Sequence, residues 1–152
     1  MLENLRLGLM AGLLAMAFTV YAMYLAVKRN PARMELPGAE AVLDWRRTYR
    51  QDFWRLGALA TGGGLMALGR WHYYTNVLWP LGGFLLLAYW PFTMLAMGPT
   101  RRLLLTRGME TTARALPLLT QWNTLHKWVV AMGILATTFC LGGAFGFHYG
   151  RY

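Results

Sequence analysis

Three stretches of this sequence, Leu7 to Val27, Val77 to Met97 and Trp128 to Phe147, contain no charged residue, and each is about 20 residues long. A helix of that length crosses about 30 Å of hydrocarbon, whereas the core helix of a soluble domain is shorter and carries a polar face. The runs therefore predict membrane-spanning helices. Composition agrees, because 57% of the 152 residues are hydrophobic and 14% aromatic, too apolar for an ordinary soluble fold of one domain.

A further span is predicted over 53–74. Only Leu56 to Gly69 is free of charge there, which is short for a crossing. Trp54, Trp71, Tyr73 and Tyr74 supply aromatic belts, and Arg55 and Arg70 can snorkel to opposite interfaces. At its centre, Thr61-Gly62-Gly63-Gly64 is poor helix former but good packing surface, since small residues let a neighbouring backbone approach. The expected architecture is all-α: a single membrane domain over 1–152, a four-transmembrane-helix bundle with spans near 6–27, 53–74, 77–97 and 128–148.

The first run is preceded by Arg6 and followed by Lys28-Arg29-Asn30-Pro31 instead of a small-residue cleavage site, so it reads as a retained anchor and not as a signal peptide. Cys140, the single cysteine, leaves no intrachain disulfide and no cysteine-based metal motif.

The net charge of +9 excludes little until the charges are placed. Twelve of the fifteen Lys and Arg fall in 28–55 and 98–127, while Arg6, Arg70 and Arg151 lie at the opposite ends of the spans. By the positive-inside rule both basic loops, 28–52 and 98–127, face the cytoplasm and both termini the other side, as in a bacterial inner (plasma) membrane. Charge placed so points to membrane lipids as partners and away from nucleic acid. Within the first loop, after Pro37-Gly38, residues Val42, Trp45, Tyr49 and Phe53 recur at helical spacing with Arg46, Arg47 and Arg50 on other faces. That pattern predicts an amphipathic interfacial helix between spans one and two. The second loop turns near Gly108 and resumes as a helix over Glu110 to Leu125.

Metal chemistry finds little support. His72 and His148 fall near the outer face and His126 near the inner one, so three histidines cannot converge, and a heme held between His72 and His148 is a weaker reading than two interface histidines. No cofactor is expected. Glu35, Glu40, Asp44, Asp52 and Glu110 all lie outside the three uncharged runs and read as partners of the nearby arginines, which argues against a proton-coupled transporter. The inner-face cluster carries the chemistry: Trp122 and His126 are four apart on one helical face with Asn123 beside them, and Trp45 and Tyr49 repeat the spacing. An imidazole, aromatic rings and arginines at an interface suit a flat phenolic molecule whose proton can be moved, although an aromatic belt beside positive-inside arginines has the same composition.

The segments Ala88-Tyr-Trp-Pro-Phe-Thr-Met-Leu-Ala-Met-Gly-Pro-Thr-Arg-Arg-Leu-Leu104 and Leu119-Thr-Gln-Trp-Asn-Thr-Leu-His126 resemble the anthrone-oxygenase-like family of small four-helix membrane proteins. So do Asn30-Pro31-Ala32-Arg33 and Asp44-Trp45-Arg46-Arg47-Thr48-Tyr49-Arg50, in the same order along the chain. The resemblance implies an oxidoreductase that oxygenates an anthrone to an anthraquinone with dioxygen and no metal or organic cofactor. It implies a base (His126), positive charge (Arg33, Arg46), aromatic walls (Trp45, Tyr49, Trp90, Trp122) and a hydrogen-bonding orienter (Asn123). The alternative from the residues is a non-catalytic accessory subunit that uses the Gly62-Gly63-Gly64 face and exposed aromatics against other membrane subunits or a second copy of itself.

Overall fold

In the computed structural model, which describes residues 2–146, every regular element is helical. The chain runs α1 (Leu2–Tyr24), a π-helical turn (Leu25–Arg29), α2 (Asn30–Met34), α3 (Gly38–Tyr73), α4 (Leu78–Leu87), α5 (Tyr89–Leu95), α6 (Gly98–Leu105), a 3-10 turn (Met109–Thr111) and α7 (Ala115–Ala144). His148 and Arg151, and with them the end of the expected fourth span, lie outside the described residues.

Three segments are long and apolar enough to cross a membrane: Leu5–Met34, Leu78–Leu95 and Ala115–Ala144. They contain the three uncharged runs, apart from Val77, Ala96 and Met97 of the second and the last residues of the third. The 53–74 segment is the second half of α3, whose mean composition is too polar to be counted with them. The expected interfacial helix is the first half of that same helix. At 36 residues, α3 is about 54 Å long, well beyond one hydrocarbon thickness. Nothing between Trp45 and Phe53 breaks it, since the stretch holds no proline or glycine and its buried stripe continues in register into Leu56 and Ala60.

Prolines set the other boundaries. Pro31 has no N–H and its ring would crowd the carbonyl four residues back; the helix widens just before it, so that Asn30 N–H reaches Leu25 O, five residues away. Pro91 likewise follows the break between α4 and α5 at Ala88. Pro99 lies in the first turn of α6, where a missing N–H costs nothing.

Packing closes a ring in which α1 lies against α3 and α7, and α4 against α3 and α7. Alanines and glycines make this closeness. Ala11, Ala15 and Ala22 line the inner face of α1 with Phe18, and Ala60 and Ala67 face them from α3. A Cβ on Gly83 would stand 3.0 Å from Gly64 O, and one on Gly64 3.1 Å from Gly83 O, so α3 and α4 touch backbone to backbone. Gly82, the next residue, faces Cys140 and Ala136 O of α7. The outer surface is apolar by contrast, with Leu13, Val20, Leu65, Phe84, Leu95 and Trp128 all more than half exposed. Such an inside-out distribution suits lipid as solvent.

A second, smaller core lies at the basic end, where Ala41, Val42 and Trp45 of α3 meet Leu104, Met109, Ala115, Leu118 and Leu119. Trp122 packs against both cores.

Candidate functional site

Between the two cores the wall residues leave a cavity of about 30 Å³. It forms because large rings meet there at an angle. Trp45 and Tyr49 stack with centroids 4.4 Å apart, and Trp122 stands edge-on to Trp45 at 5.1 Å. Flat groups crossed this way cannot tile space as alanine and glycine do lower in the bundle. The remaining wall comes from α2 (Asn30, Arg33), α3 (Asp52, Phe53), α5 (Tyr89, Thr93) and α7 (His126).

His126 is 4% exposed. Its Nε2 lies 3.0 Å from Ala22 O on α1, and a carbonyl only accepts, so Nε2 carries the proton and Nδ1 is the basic nitrogen. The bond fixes the ring between two helices, as a general base requires.

Arg33 is as deeply buried, and each of its three nitrogens makes one hydrogen bond. Nε donates to Asp44 Oδ2 at 2.9 Å, NH2 to Thr48 Oγ1 at 3.0 Å and NH1 to Asn30 Oδ1 at 3.2 Å. Asp44 neutralises much of its charge, as burial of a guanidinium demands. Asp52 is held similarly: Arg29 NH1 donates to both its oxygens at 2.8 and 3.0 Å, and Tyr21 OH donates to Oδ1 at 2.5 Å. With both carboxylates tied to cations, the wall's available base is His126. One donor is left over. Trp45 is wholly buried and its Nε1–H meets no acceptor among the described residues, a cost of about 1–3 kcal/mol that an oxygen atom placed against it would remove.

The structure therefore brings together His126, Trp122, Trp45, Tyr49 and Arg33 in one wall. Three other expected residues lie elsewhere. Arg46 clamps α3 to the end of α6, where the carbonyls of a helix terminus attract cations: Nε donates to Leu104 O at 2.9 Å, NH2 to Thr106 O at 2.7 Å, and NH1 pairs with Glu110 at 3.0 Å. Trp90 lies on the far side of Phe53, its Nε1 donating to Thr61 Oγ1 at 2.9 Å and its ring filling the space above Gly57. Asn123 is beside the cavity but not in its wall, and its buried Oδ1 meets no donor among the described residues.

The wall also holds Asp52, Asn30, Tyr89 and Thr93, none of which was among the expected site residues. Asp52 had a signal, since it falls seven residues after Trp45 and three after Tyr49, inside the buried stripe of α3. Of the five carboxylates expected to pair with arginines, Asp44, Asp52 and Glu110 do so, with Arg33, Arg29 and Arg46, while Glu35 and Glu40 form no ion pair among the described residues. Glu110, outside the long apolar helices, has its carboxyl held below the usual range, first by its own backbone N–H and then, against the opposing effect of burial, by Arg46.

Among the described residues no group of three His, Cys, Asp or Glu is placed to hold a metal. No known family, curated protein or solved structure matches the chain.

Proposed function

We propose that the chain is a four-span membrane protein of the anthrone-oxygenase-like kind, with the second half of α3 as its fourth crossing and its basic end in the cytoplasm. Its cavity serves the cofactor-free oxidation of a hydrophobic aromatic carbon acid. The observation that carries this reading is one wall that combines a tautomer-fixed imidazole, crossed aromatic rings and an indole N–H without an acceptor.

His126 Nδ1 takes a proton from the CH2 flanked by the substrate's rings, and the carbanion delocalises onto the ring carbonyl oxygen, where Trp45 Nε1–H and the Arg33 guanidinium stabilise negative charge. One electron passes to dioxygen. The substrate radical and superoxide then combine to a peroxide at that carbon, the proton returns to it, and loss of water across the remaining C–H and the O–O bond leaves a second carbonyl. Carbon gains one oxygen atom, dioxygen supplies both that atom and the oxygen of water, and no further reductant enters. Trp122 and Tyr49 hold the ring plane, and Asn123 orients the segment beside His126. Arg46 supports the site from outside by fixing α3 to α6.

A volume of about 30 Å³ holds roughly two waters, or one dioxygen, and not a three-ring substrate. Tyr49 is half-buried at the stack, and its displacement would open the cavity to a larger ligand. The same small volume favours the second reading, an accessory subunit packed against other membrane proteins. The two separate cleanly. Purified in a mild detergent, a lone chain that consumes oxygen with an anthrone, and loses about 10²- to 10⁴-fold in rate on His126→Ala, supports the enzyme. Stoichiometric co-purification of other subunits, with no oxygen uptake, would sink it. Topology has its own check: cysteines placed at Leu36 and Gly108 are expected to label only from the cytoplasmic side.

A further inference from the structure

Away from the cavity, the seam between α1 and α3 carries a groove of about 720 Å³. Its floor is Ala17, Val20, Ala58 and Leu59, all apolar, and towards the basic end it reaches Tyr24 and Arg55. Tyr24 is also part of a second recess of about 330 Å³, this one lined by Lys28, Arg29, Arg33 and Asp44. The two share Tyr24 as a lining residue, the first apolar along the helices and the second cationic beside it.

The charges there do not cancel. Arg29 pairs with Asp52 and Arg33 with Asp44, whereas Lys28 and Arg55 have no carboxylate within ion-pair distance among the described residues. Arg55 is nonetheless held in place. Its NH1 donates to Tyr21 OH at 3.2 Å, and Tyr21 OH in turn donates to Asp52. Two positive charges, one pre-positioned by an aromatic hydroxyl, thus lie towards the basic end, Arg55 in the apolar groove and Lys28 in the recess that shares Tyr24 with it. A cation fixed at the depth where headgroups lie attracts anionic lipid, and a groove floored by alanine accepts a methylene chain without displacing side chains.

We infer that this groove is a binding site for one anionic phospholipid of the surrounding bilayer, with an acyl chain along Ala17 and Ala58 and the headgroup phosphate against Arg55 and Lys28. The inference rests on the bilayer reading above and on no catalytic step.

The test is lipid retention by the full chain in nanodiscs of mixed phosphatidylglycerol and phosphatidylcholine of equal chain length, released into mild detergent and weighed by native mass spectrometry. Phosphatidylglycerol is expected to be retained in preference, with about fivefold weaker retention in each of Arg55→Gln and Lys28→Gln. Ala58→Trp, which fills the groove from its lipid-facing side, is expected to lower retention while thermal stability stays unchanged. Equal retention of the two lipids by an inserted chain overturns the site, as does an Arg55→Gln variant that keeps the preference. Competition by dihexanoyl phosphatidylglycerol as strong as that of the long-chain lipid also overturns it, because the apolar half would then contribute nothing. A chain that washes out of the bilayer fails a different test and removes the membrane reading itself.

Discussion

The two ends of the helical ring solve the problem of close packing in opposite ways. In the second half of α3 and the middle of α4, Gly64 and Gly83 put backbone against backbone, and Gly82 does the same against α7. At the basic end the helices are held by Arg33 to Asp44, Arg29 to Asp52 and Arg46 to Leu104 O, with indoles and phenols between them. In lipid, apolar side chains gain little from meeting one another, so adhesion there depends on contact area, and glycine supplies it. Nearer water, charges keep part of their hydration, so ion pairs are tolerable and long side chains replace small ones. The aromatic cavity lies in the second regime. Even the arginines differ: Arg70, at the end of the ring opposite the basic loops, lies 3.7 Å above the Tyr74 ring and near Trp79, where Arg29 and Arg33 use carboxylates.

The contrast is broken most severely by filling the glycine contact. Gly83→Leu forces a side chain into Gly64 O and Leu68 and is expected to cost about 3 kcal/mol or more, read as a large drop in detergent melting temperature or as failure to fold. Gly69→Leu on the same helix as Gly64, where a new Cβ meets nothing within 4 Å, is the control and leaves the temperature unchanged. If both variants melt alike, backbone contact is not what holds the apolar half.

At the basic end the expected effects are smaller, because solvent shares the load. Asp52→Ala strands Tyr21 OH and a partly exposed Arg29, for a loss of about 2 kcal/mol by denaturant titration. Trp45→Phe keeps a ring in the stack and removes the donor without an acceptor, so stability is expected to change by less than about 1 kcal/mol. A loss of several kcal/mol would mean that Nε1–H already has a partner and that the cavity offers no donor to a ligand.

Smallest is the pH response of Glu110, held first by its own backbone N–H and also by Arg46. Because the folded-state pKa of Glu110 is lowered, its stabilising effect is present above the ordinary carboxylate range and is lost as pH falls through the folded value. Glu110→Gln is expected to remove this part of the acid sensitivity, a flattening visible in melting temperature against pH. An unchanged acid limb would assign the sensitivity to other carboxylates.

Much of the site could be read from residue spacing. Trp45 with Tyr49, and Trp122 with His126, each sit one turn apart on a helix, and any packing that buried both faces against each other would bring them together. What spacing could not say is which side of a shared residue faces the cavity. Trp90 belongs to the same aromatic-rich region, yet its indole turns to Thr61 because Gly57 leaves room for the ring there. Arg46 carries the same charge as Arg33, but one lies buried beside Asn30 while the other reaches carbonyls of α6 some sixty residues away in the chain. Asp52 looked like a loop carboxylate because its partners, Arg29 and Tyr21, come from a different helix.

Hydrophobic length and the position of charge are properties of consecutive residues, so the amino-acid sequence alone determined three membrane-length helices, the basic end and the helical spacing of the aromatic residues. The size of the cavity, the tautomer of His126 and the absence of a carboxylate beside Lys28 and Arg55 were decided only by tertiary structure. Each depends on a contact between α1, α2, α3 and α7, and no local pattern encodes the distance between helices that the chain has yet to bring together.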